Sequence, residues 1–463
     1  MHSLRSGLVL FLAPVVLLTG SSLAVAGSDF GPPPDMIFAD GFESGDVSGW
    51  TLAFSSCGDN LANGPEQCDG TDLAGLTCAA LGFSGGGVPQ CTTCCTAATI
   101  TCAGDHEFGY ERITQTLHTG DLTKVSWHRS GRFALILTDG GKVLRYDADT
   151  GLVIEATDLG ATALPTDIDA AWNGQRFLIT GADLGVGQIW EVEVASADVL
   201  SFSPPITVST GTPVAVEAQP RGGREWALAI RTAVFTTNYI GLWNAIDGLH
   251  TEVGYTTTAG VWDLMWRQTS LHTPAAEIVI SHGFNGADSR TFEVDTGLVV
   301  GNGYPGAAFS GNLGGAGWRG CSGTYGLITA WSNNRVIVYD GSWTATILPG
   351  SVTAISPQAV GWRGDGTRAV VVGRVVGAPL SATVYEHQPG MAVAYDDAAW
   401  VDVSIPDFDQ PPWSGNTNQY LLDVDWQPQS NCDGGLIVGR DDGTPGFGLL
   451  IRFYDSGDSD CTP

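Results

Sequence analysis

Three aspartates, Asp169, Asp263 and Asp423, each stand three residues before a tryptophan at the end of a short apolar segment. Asp167 and Asp425 lie close by in two of the same segments. Carboxylate oxygens are the ligands that calcium prefers, so these side chains could bind such a cation if the fold brings the segments together. Aspartate at the start of a strand also caps turns and binds water, and this simpler role stays open. Calcium is the one cofactor that the residues suggest.

The acidic residues belong to a unit of about 45 residues that recurs seven times along the chain. Each unit begins with an apolar segment that ends at an anchor residue, and two further apolar segments follow after polar turns. The segments alternate with period two or are wholly apolar, which is typical of strands and not of amphipathic helices. The anchors are Trp127, Trp172, Gln219, Trp266, Trp318, Trp362 and Trp426.

Such units cannot bury their faces alone, so seven of them stacked in a ring make one core. The sequence therefore predicts an all-β chain, a seven-bladed β-propeller of four-stranded blades over residues 106–458, whose innermost strands line a central channel. The chain ends after the third segment of the last unit. We predict that residues 109–117 supply the missing outer strand and close the ring. In this architecture the chain resembles WD-repeat and related propellers, although the Trp-Asp dipeptide of each repeat is missing.

The N-terminus has the form of a cleavable secretory signal over residues 1–26. Arg5 precedes an apolar core, and Ala24, Val25 and Ala26 stand before Gly27. The apolar core is too short to span a bilayer comfortably, and no later segment has the length of a membrane span. We therefore expect a secreted protein, extracellular or periplasmic, that is cleaved near Ala26.

Cysteines are concentrated in residues 57–102, after a linker over residues 27–56. Seven of the ten cysteines lie in this glycine-rich segment, which predicts a disulfide-stapled module in an oxidising compartment. The segment resembles the cysteine-rich repeats of secreted myxobacterial proteins, a pattern that Cys57, Cys68, Cys78, Cys91, Cys95 and Cys102 fit. The linker segment IFADGFESGDVSGW resembles one near the start of exported proteobacterial proteins, and these resemblances imply a bacterial source. Cys432 and Cys461 should pair, because the strand order brings both to one face of the ring.

The composition limits the partners. The formal charge is -29, and Lys124 and Lys142 are the two lysines of the chain. Binding of nucleic acid needs clustered lysine and arginine, so nucleic acid is excluded as the expected partner. Acidity also keeps a secreted protein soluble and monomeric, and we expect a monomer.

The widest spacing between anchors, from Trp362 to Trp426, reflects an insertion over residues 406–419. In a propeller this insertion would neighbour residues 373–380 and 439–448 on one face. An exposed aromatic ring with fixed charges is common at binding surfaces, although a long proline-rich loop also serves as a passive cover. The candidate ligand-binding residues of this face are Phe408, Trp413, Arg374, Arg440, Asp441 and Asp442.

The sequence contains none of the zinc-protease, phosphate-binding or sialidase motifs that would identify an enzyme. It therefore favours an exported, non-enzymatic binding protein with an extracellular protein, a glycan or an ion as ligand. The alternative is a secreted propeller hydrolase or lyase that uses carboxylates at the channel mouth and a divalent cation.

Overall fold

The computed structural model divides the chain into two units, Met1–Ala53 and Phe54–Pro463. All the residues that the structure describes lie in the second unit. These residues are 60–62, 68–78, 86–91, 97–98, 108–220, 225–233, 237–256, 260–267, 277–283, 289–294, 296–301, 313–318, 326–330, 335–339, 346–347, 356–363, 368–374, 381–386, 399–404, 420–428, 434–440 and 448–455.

The described part of the cysteine-rich segment contains a short ladder of β1 (Gln90–Cys91) and β2 (Ala97–Ala98). A disulfide joins Cys68 to Cys91, and Cys78 is also disulfide-bonded. Cys57, Cys95 and Cys102, like Cys432 and Cys461, lie outside the described residues, so the predicted pairing of the last two stays a prediction.

Antiparallel sheets follow one another along the rest of the described chain. Blade 1 contains β4 (Leu122–Trp127), β5 (Phe133–Thr138), β6 (Lys142–Asp147) and β7 (Val153–Asp158). Blade 2 contains β8 (Ala163–Ala170), β9 (Arg176–Asp183), β10 (Val186–Ala195), β11 (Val199–Phe202) and β12 (Ile206–Val208). Blade 3 contains β13 (Thr212–Ala218), β14 (Glu225–Arg231), β15 (Thr237–Asn244) and β16 (Gly248–Thr256). Blade 4 contains β17 (Gly260–Arg267), β18 (Glu277–Gly283), β19 (Ser289–Glu293) and β20 (Leu298–Gly301).

The remaining blades follow the same order. Blade 5 contains β21 (Leu313–Trp318), β22 (Gly326–Ala330), β23 (Arg335–Tyr339) and β24 (Thr346–Ile347). Blade 6 contains β25 (Ser356–Trp362), β26 (Arg368–Arg374), β27 (Ser381–Glu386) and β28 (Ala399–Ser404). Blade 7 contains β29 (Tyr420–Trp426), β30 (Gly434–Arg440), β31 (Leu449–Asp455) and, as its outer strand, β3 (Phe108–Arg112). A 3-10 turn at Ser196–Asp198 joins β10 to β11.

The predicted all-β propeller is confirmed, because the first strand of each blade contacts the first strands of both neighbours and β29 contacts β4. The prediction that every blade has four strands is wrong. Apart from the β1–β2 ladder, the described chain forms six sheets of four strands and one of five, since both β11 and β12 pair with β10 in blade 2. Pro204 and Pro205 stand between these two short strands and lack the N–H groups that a continuous outer strand would need.

The predicted closure of the ring is confirmed. β3 pairs antiparallel with β31, with Phe108 opposite Asp455 and Arg112 opposite Ile451. The strand is shorter than residues 109–117 at its C-terminal end, where the side chain of Gln115 turns inward. Its amide donates to the carbonyls of His118 and Gly448, both at 3.1 Å, and so fixes the chain at the closing blade.

The strand register corrects two anchors. Trp127, Trp266, Trp318, Trp362 and Trp426 each end a first strand and pair with the second strand of the same blade. In blades 2 and 3 the equivalent residues are Ala170 and Ala218, which pair with Phe177 and Trp226. Trp172 and Gln219 lie beyond the strand ends, so their assignment as anchors is wrong.

Each junction between neighbouring blades has its own apolar cluster. Phe133 and Leu135 of β5, for example, pack with Phe177 and Ile179 of β9. Second strands are covered on both sides, so β5 is buried at every residue. The turns between first and second strands, and between third and fourth strands, define face A. The turns between second and third strands, and the links between blades, define face B.

Candidate functional site

Each first strand carries two positions that face the channel and the next blade, because alternate residues of a strand point the same way. The middle ring lies three residues before the anchor, and the mouth ring lies one residue before it, nearer face A. The middle ring consists of Lys124, Asp167, Ala215, Asp263, Gly315, Ala359 and Asp423. The mouth ring consists of Ser126, Asp169, Glu217, Met265, Gly317, Gly361 and Asp425.

The carboxylates of the middle ring accept hydrogen bonds from the backbone of the next blade. Asp423 accepts from the N–H of Val125 at 3.0 Å, across the junction that closes the ring. Asp167 accepts from Val216 at 2.8 Å. Asp263 uses one oxygen for Ala316 and the other for Leu264, both at 2.8 Å.

The mouth-ring carboxylates make the same kind of link two residues further along each first strand. Asp425 accepts from the N–H of Trp127 at 2.8 Å, and Glu217 accepts from Trp266 at 2.8 Å. Asp169 accepts from Ala218 at 2.7 Å, and the hydroxyl of Ser126 donates to its second oxygen at 3.3 Å. The carboxylates therefore link neighbouring blades.

Indole groups also link neighbouring blades, including blades 5 and 6, which carry no carboxylate at either ring position. The Nε1 of Trp362 donates to the carbonyl of Gly317 at 3.0 Å, and that of Trp426 donates to Gly361 at 2.8 Å. Glycine is needed at these positions because the next blade comes very close. A Cβ atom on Gly361 would lie 2.8 Å from the carbonyl oxygen of Val424.

Lys124 supplies a positive charge among the middle-ring carboxylates. Its Nζ lies 3.3 Å from Asp167 of blade 2 and 3.7 Å from Asp423 of blade 7, so it bridges the blades on both sides of its own. Burial by itself lowers the pKa of this ammonium, but the attraction of Asp167, Asp423 and Asp263 outweighs burial and raises it. Lys124 is therefore protonated at all physiological pH values.

Burial raises the pKa of Asp169, Glu217, Asp263, Asp423 and Asp425 above the ordinary carboxyl range. The pKa of Asp423 is about 6, although Lys124 acts to lower it, and the pKa of Asp425 is about 7. Burial also raises the pKa of Asp169 and of Asp263, and it raises that of Glu217 well above its usual range. Neighbouring carboxylates add to these shifts, because like charges that are taken out of water disfavour ionisation.

The structure thus brings the predicted Asp169, Asp263 and Asp423 to one channel, but in two rings. Asp263 and Asp423 share the middle ring, whereas Asp169 lies in the mouth ring because Trp172 is not the anchor of blade 2. Among the described residues, no group of three or more histidine, cysteine, aspartate or glutamate side chains is arranged to hold a metal ion. Calcium stays a prediction.

Sequence reasoning missed two members of the site, Lys124 and Glu217. Lys124 stands three residues before Trp127, in the place that Asp263 and Asp423 occupy in their own repeats, and this equivalence is visible in the sequence. Glu217 is found only when the anchor of blade 3 is moved from Gln219 to Ala218.

The candidate loop residues are placed only in part. Arg374 ends β26 and Arg440 ends β30, so both lie at the face B end of neighbouring blades. Arg440 is exposed, and its Nε lies 3.5 Å from the carboxylate of Asp121. Phe408, Trp413, Asp441 and Asp442 lie outside the described residues, so their role in binding stays a prediction.

No family model matches the sequence, and no curated protein is similar to it. Solved structures do resemble the chain. "Structure of U3-55K" has a TM-score of 0.53 at 9% identity and covers 74% of this chain and 98% of that one. "Crystal structure of RRP9 WD40 repeats" has a TM-score of 0.54 at 10% identity and covers 75% of this chain and 100% of that one. At such identities the likeness shows the fold, which is a β-propeller with WD40 propellers as structural neighbours.

No family model supports the resemblance of residues 57–102 to myxobacterial cysteine-rich repeats, which stays a prediction. No helix in the described part of the chain is long and apolar enough to cross a membrane.

Proposed function

We propose that this chain is an exported, non-enzymatic binding protein that contacts an extracellular protein through face B. The observation that carries the proposal is Leu184, at the tip of the hairpin between β9 and β10. Its φ is 50° and its side chain is 78% exposed. A left-handed backbone costs a side chain like leucine about 1–2 kcal/mol, and glycine or asparagine would avoid most of that cost. An exposed leucine at a strained position is consistent with a role in contact.

Two further apolar side chains stand at the same end of blade 2. Leu164 and Val186 are 58% and 46% exposed. Leu164 pairs with Ala182 and Val186 pairs with Asp183, so both lie beside the Leu184 tip. Together, Leu164, Leu184 and Val186 form the blade 2 patch. Clustered exposed apolar side chains mark contact surfaces more often than single ones do.

Charge defines the chemistry of the partner. The chain carries a formal charge of -29, and Asp183 stands beside Leu184, where it accepts a hydrogen bond from the hydroxyl of Thr162 at 2.6 Å. Like-charge repulsion disfavours acidic partners, and a complementary potential speeds encounter. The proposed partner is therefore a protein with a basic surface around an apolar centre.

The arrangement of the channel supports a binding role over the hydrolase or lyase alternative. Each of its six carboxylates accepts a hydrogen bond from the backbone of the next blade. Asp425 and Asp423 do have pKa values near those of general acids and bases, and this is the observation that favours an enzyme. The contacts of the carboxylates within the described chain are nevertheless those of links between blades.

The test uses a photo-crosslinking amino acid at position 184 of the secreted chain, with the same amino acid at Ile246 as control. Ile246 is 80% exposed but lies in a turn of face A. A protein joined from position 184 and not from 246 is then purified, and its dissociation constant is measured by calorimetry. Leu184→Asn should weaken binding by at least about tenfold, about 1.4 kcal/mol, while Ile246→Asn should not.

The same substitution separates binding from folding. Asparagine tolerates a left-handed backbone, so Leu184→Asn should leave the melting temperature unchanged or raise it. Equal affinity of the parent and Leu184→Asn for the cross-linked protein, or equal cross-linking from positions 184 and 246, would contradict the proposal.

A further inference from the structure

Trp172 departs from the other tryptophans of the repeats. It lies two residues beyond the end of β8 and is 40% exposed, whereas Trp127, Trp266 and Trp426 are buried at anchor positions. Burial of an aromatic side chain stabilises a fold by several kcal/mol in most cores, at about 25 cal/mol per Å² of apolar surface. The exposed indole of Trp172 contributes little of this stabilisation.

The turn that carries Trp172 is nevertheless firmly held. The N–H of Ala171 donates to the carbonyl of Arg176 at 2.8 Å, and the N–H of Gly174 donates to Ala171 at 2.9 Å. The imidazole of His128, in blade 1, contacts the carbonyl of Gly174. These bonds within the blade and from the neighbouring blade fix the backbone that carries the Trp172 ring.

Arg129 of blade 1 covers one side of that ring. The guanidinium carbon lies 4.7 Å from the centre of the Trp172 ring, which is the geometry of a cation–π contact. Its Nε atom is buried and has no hydrogen-bond partner among the described residues. Arg129 also acts to lower the raised pKa of Asp169 and Asp425, which places its charge at the face A mouth of the channel.

The surroundings of the ring are polar. Asn173 and Gln175 are exposed beside it, and their amide groups lie 3.4 Å apart. Among the described residues of the turns between first and second strands, Trp172 is the one exposed large apolar side chain. A protein interface uses several apolar anchors, whereas this mouth offers a single aromatic plane surrounded by amide, guanidinium and carboxylate groups.

We propose that Trp172 and Arg129 form a binding site for a neutral glycan at the face A mouth of the channel. A pyranose ring has an apolar face of C–H groups that can stack on the indole, and hydroxyl groups at its edge that can exchange hydrogen bonds with Arg129 and Asn173. The carboxylates of Asp169 and Asp425 accept hydrogen bonds from hydroxyls and disfavour an acidic sugar. This site is independent of the blade 2 patch, which lies on the opposite face.

The test measures binding of the full secreted chain to neutral oligosaccharides by calorimetry, with glucans, mannans, galactans and chitooligosaccharides as probes and alginate as the acidic control. The parent should bind at least one neutral probe at millimolar concentration or below and should not bind alginate. Trp172→Ala should lose at least about tenfold in affinity, and Trp172→Phe, which keeps an aromatic plane, should lose less.

Ile246→Ala is the matched control, because Ile246 is also an exposed apolar residue of face A. Ile246→Ala should bind the neutral probe as tightly as the parent does. Trp172→Ala and Ile246→Ala should both have the melting temperature of the parent. A parent that binds none of the neutral probes, or a Trp172→Ala variant that binds as tightly as the parent, would overturn the proposal. Neither result would affect the protein partner of face B, which is tested at Leu184.

Discussion

Replacing Lys124 with methionine should destabilise the folded chain strongly at pH 8. Methionine keeps most of the side-chain length but removes the charge that lies 3.3 Å from Asp167 and 3.7 Å from Asp423. Removing one partner of a buried ion pair costs about 3–5 kcal/mol, because the remaining charges are left uncompensated. The Lys124 side chain is 25% exposed, so solvent screens part of this interaction, and we expect a loss of about 2–3 kcal/mol.

The other lysine of the chain gives a matched control. Lys142 pairs with Glu155 at 2.6 Å, but the two side chains are 31% and 39% exposed on an outer part of blade 1. Exposed ion pairs contribute about 0–1 kcal/mol, so Lys142→Met should cost no more than that. The assay is urea unfolding followed by tryptophan fluorescence, with the parent and both variants compared at pH 8.0 and pH 5.5.

The loss caused by Lys124→Met should shrink at the lower pH. The folded-state pKa of Asp423 is about 6, above that of the unfolded chain, so the folded state takes up protons first and gains stability as pH falls from 8 towards 5. Without Lys124 the pKa of Asp423 rises further, and neutral carboxyls no longer need a counter-charge. Each unit by which the pKa of Asp423 differs between the folded and the unfolded chain changes the free energy of unfolding by about 1.4 kcal/mol.

Two results would refute this reasoning. One is an equal loss for Lys124→Met and Lys142→Met at pH 8, and the other is a loss for Lys124→Met that does not change between the two pH values. Calcium binding in the channel predicts a different pattern, in which EDTA lowers the melting temperature of the parent. If Lys124 is the counter-charge of the middle ring, EDTA leaves that temperature unchanged.

Three other predictions test the ring. Trp426→Phe should lower the free energy of unfolding by about 1–3 kcal/mol, because it removes the indole that donates to the buried carbonyl of Gly361. Trp127→Phe should lower it by less, since the Nε1 of Trp127 has no hydrogen-bond partner among the described residues. Urea unfolding compares the two variants, and equal losses would contradict the role of the indole link. In the parent, the free energy of unfolding should rise as the pH falls from 8 to 6, because the Asp425 carboxyl, with a pKa of about 7, takes up a proton in the folded state. Asp425→Asn should reduce this rise, and an unchanged pH profile would assign it to other groups. Replacing Phe108–Arg112 with glycine and serine should lower the melting temperature sharply, since these residues have a low strand propensity and no apolar side chains to pack, so that they pair weakly with the edge of β31. A variant that melts like the parent would show that the side chains of β3 do not hold the ring closed.

Much of the fold follows from the sequence, because the period of each strand is a local property. Alternating or wholly apolar segments between glycine-rich turns place nearly every strand, and they include the strand near residue 109 that pairs with β31. The placement of Asp263 and Asp423 on innermost strands could be predicted for the same reason. Lys124 also occupies, in its own repeat, the position that Asp263 and Asp423 occupy in theirs.

The tertiary structure alone decided what these side chains do. Asp425 bonds to Trp127 across 298 residues of sequence, and no local pattern states which N–H group a carboxylate will meet after the ring closes. The register predicted from the sequence is also wrong in blade 2, where Trp172 lies beyond the strand and Ala170 takes the anchor position. A β-bulge in each first strand sets that register, and bulges are fixed by pairing with the neighbouring strand. Sequence therefore determined most of the residues that reach the channel, and the contacts between blades determined that the carboxylates serve as hydrogen-bond acceptors around Lys124.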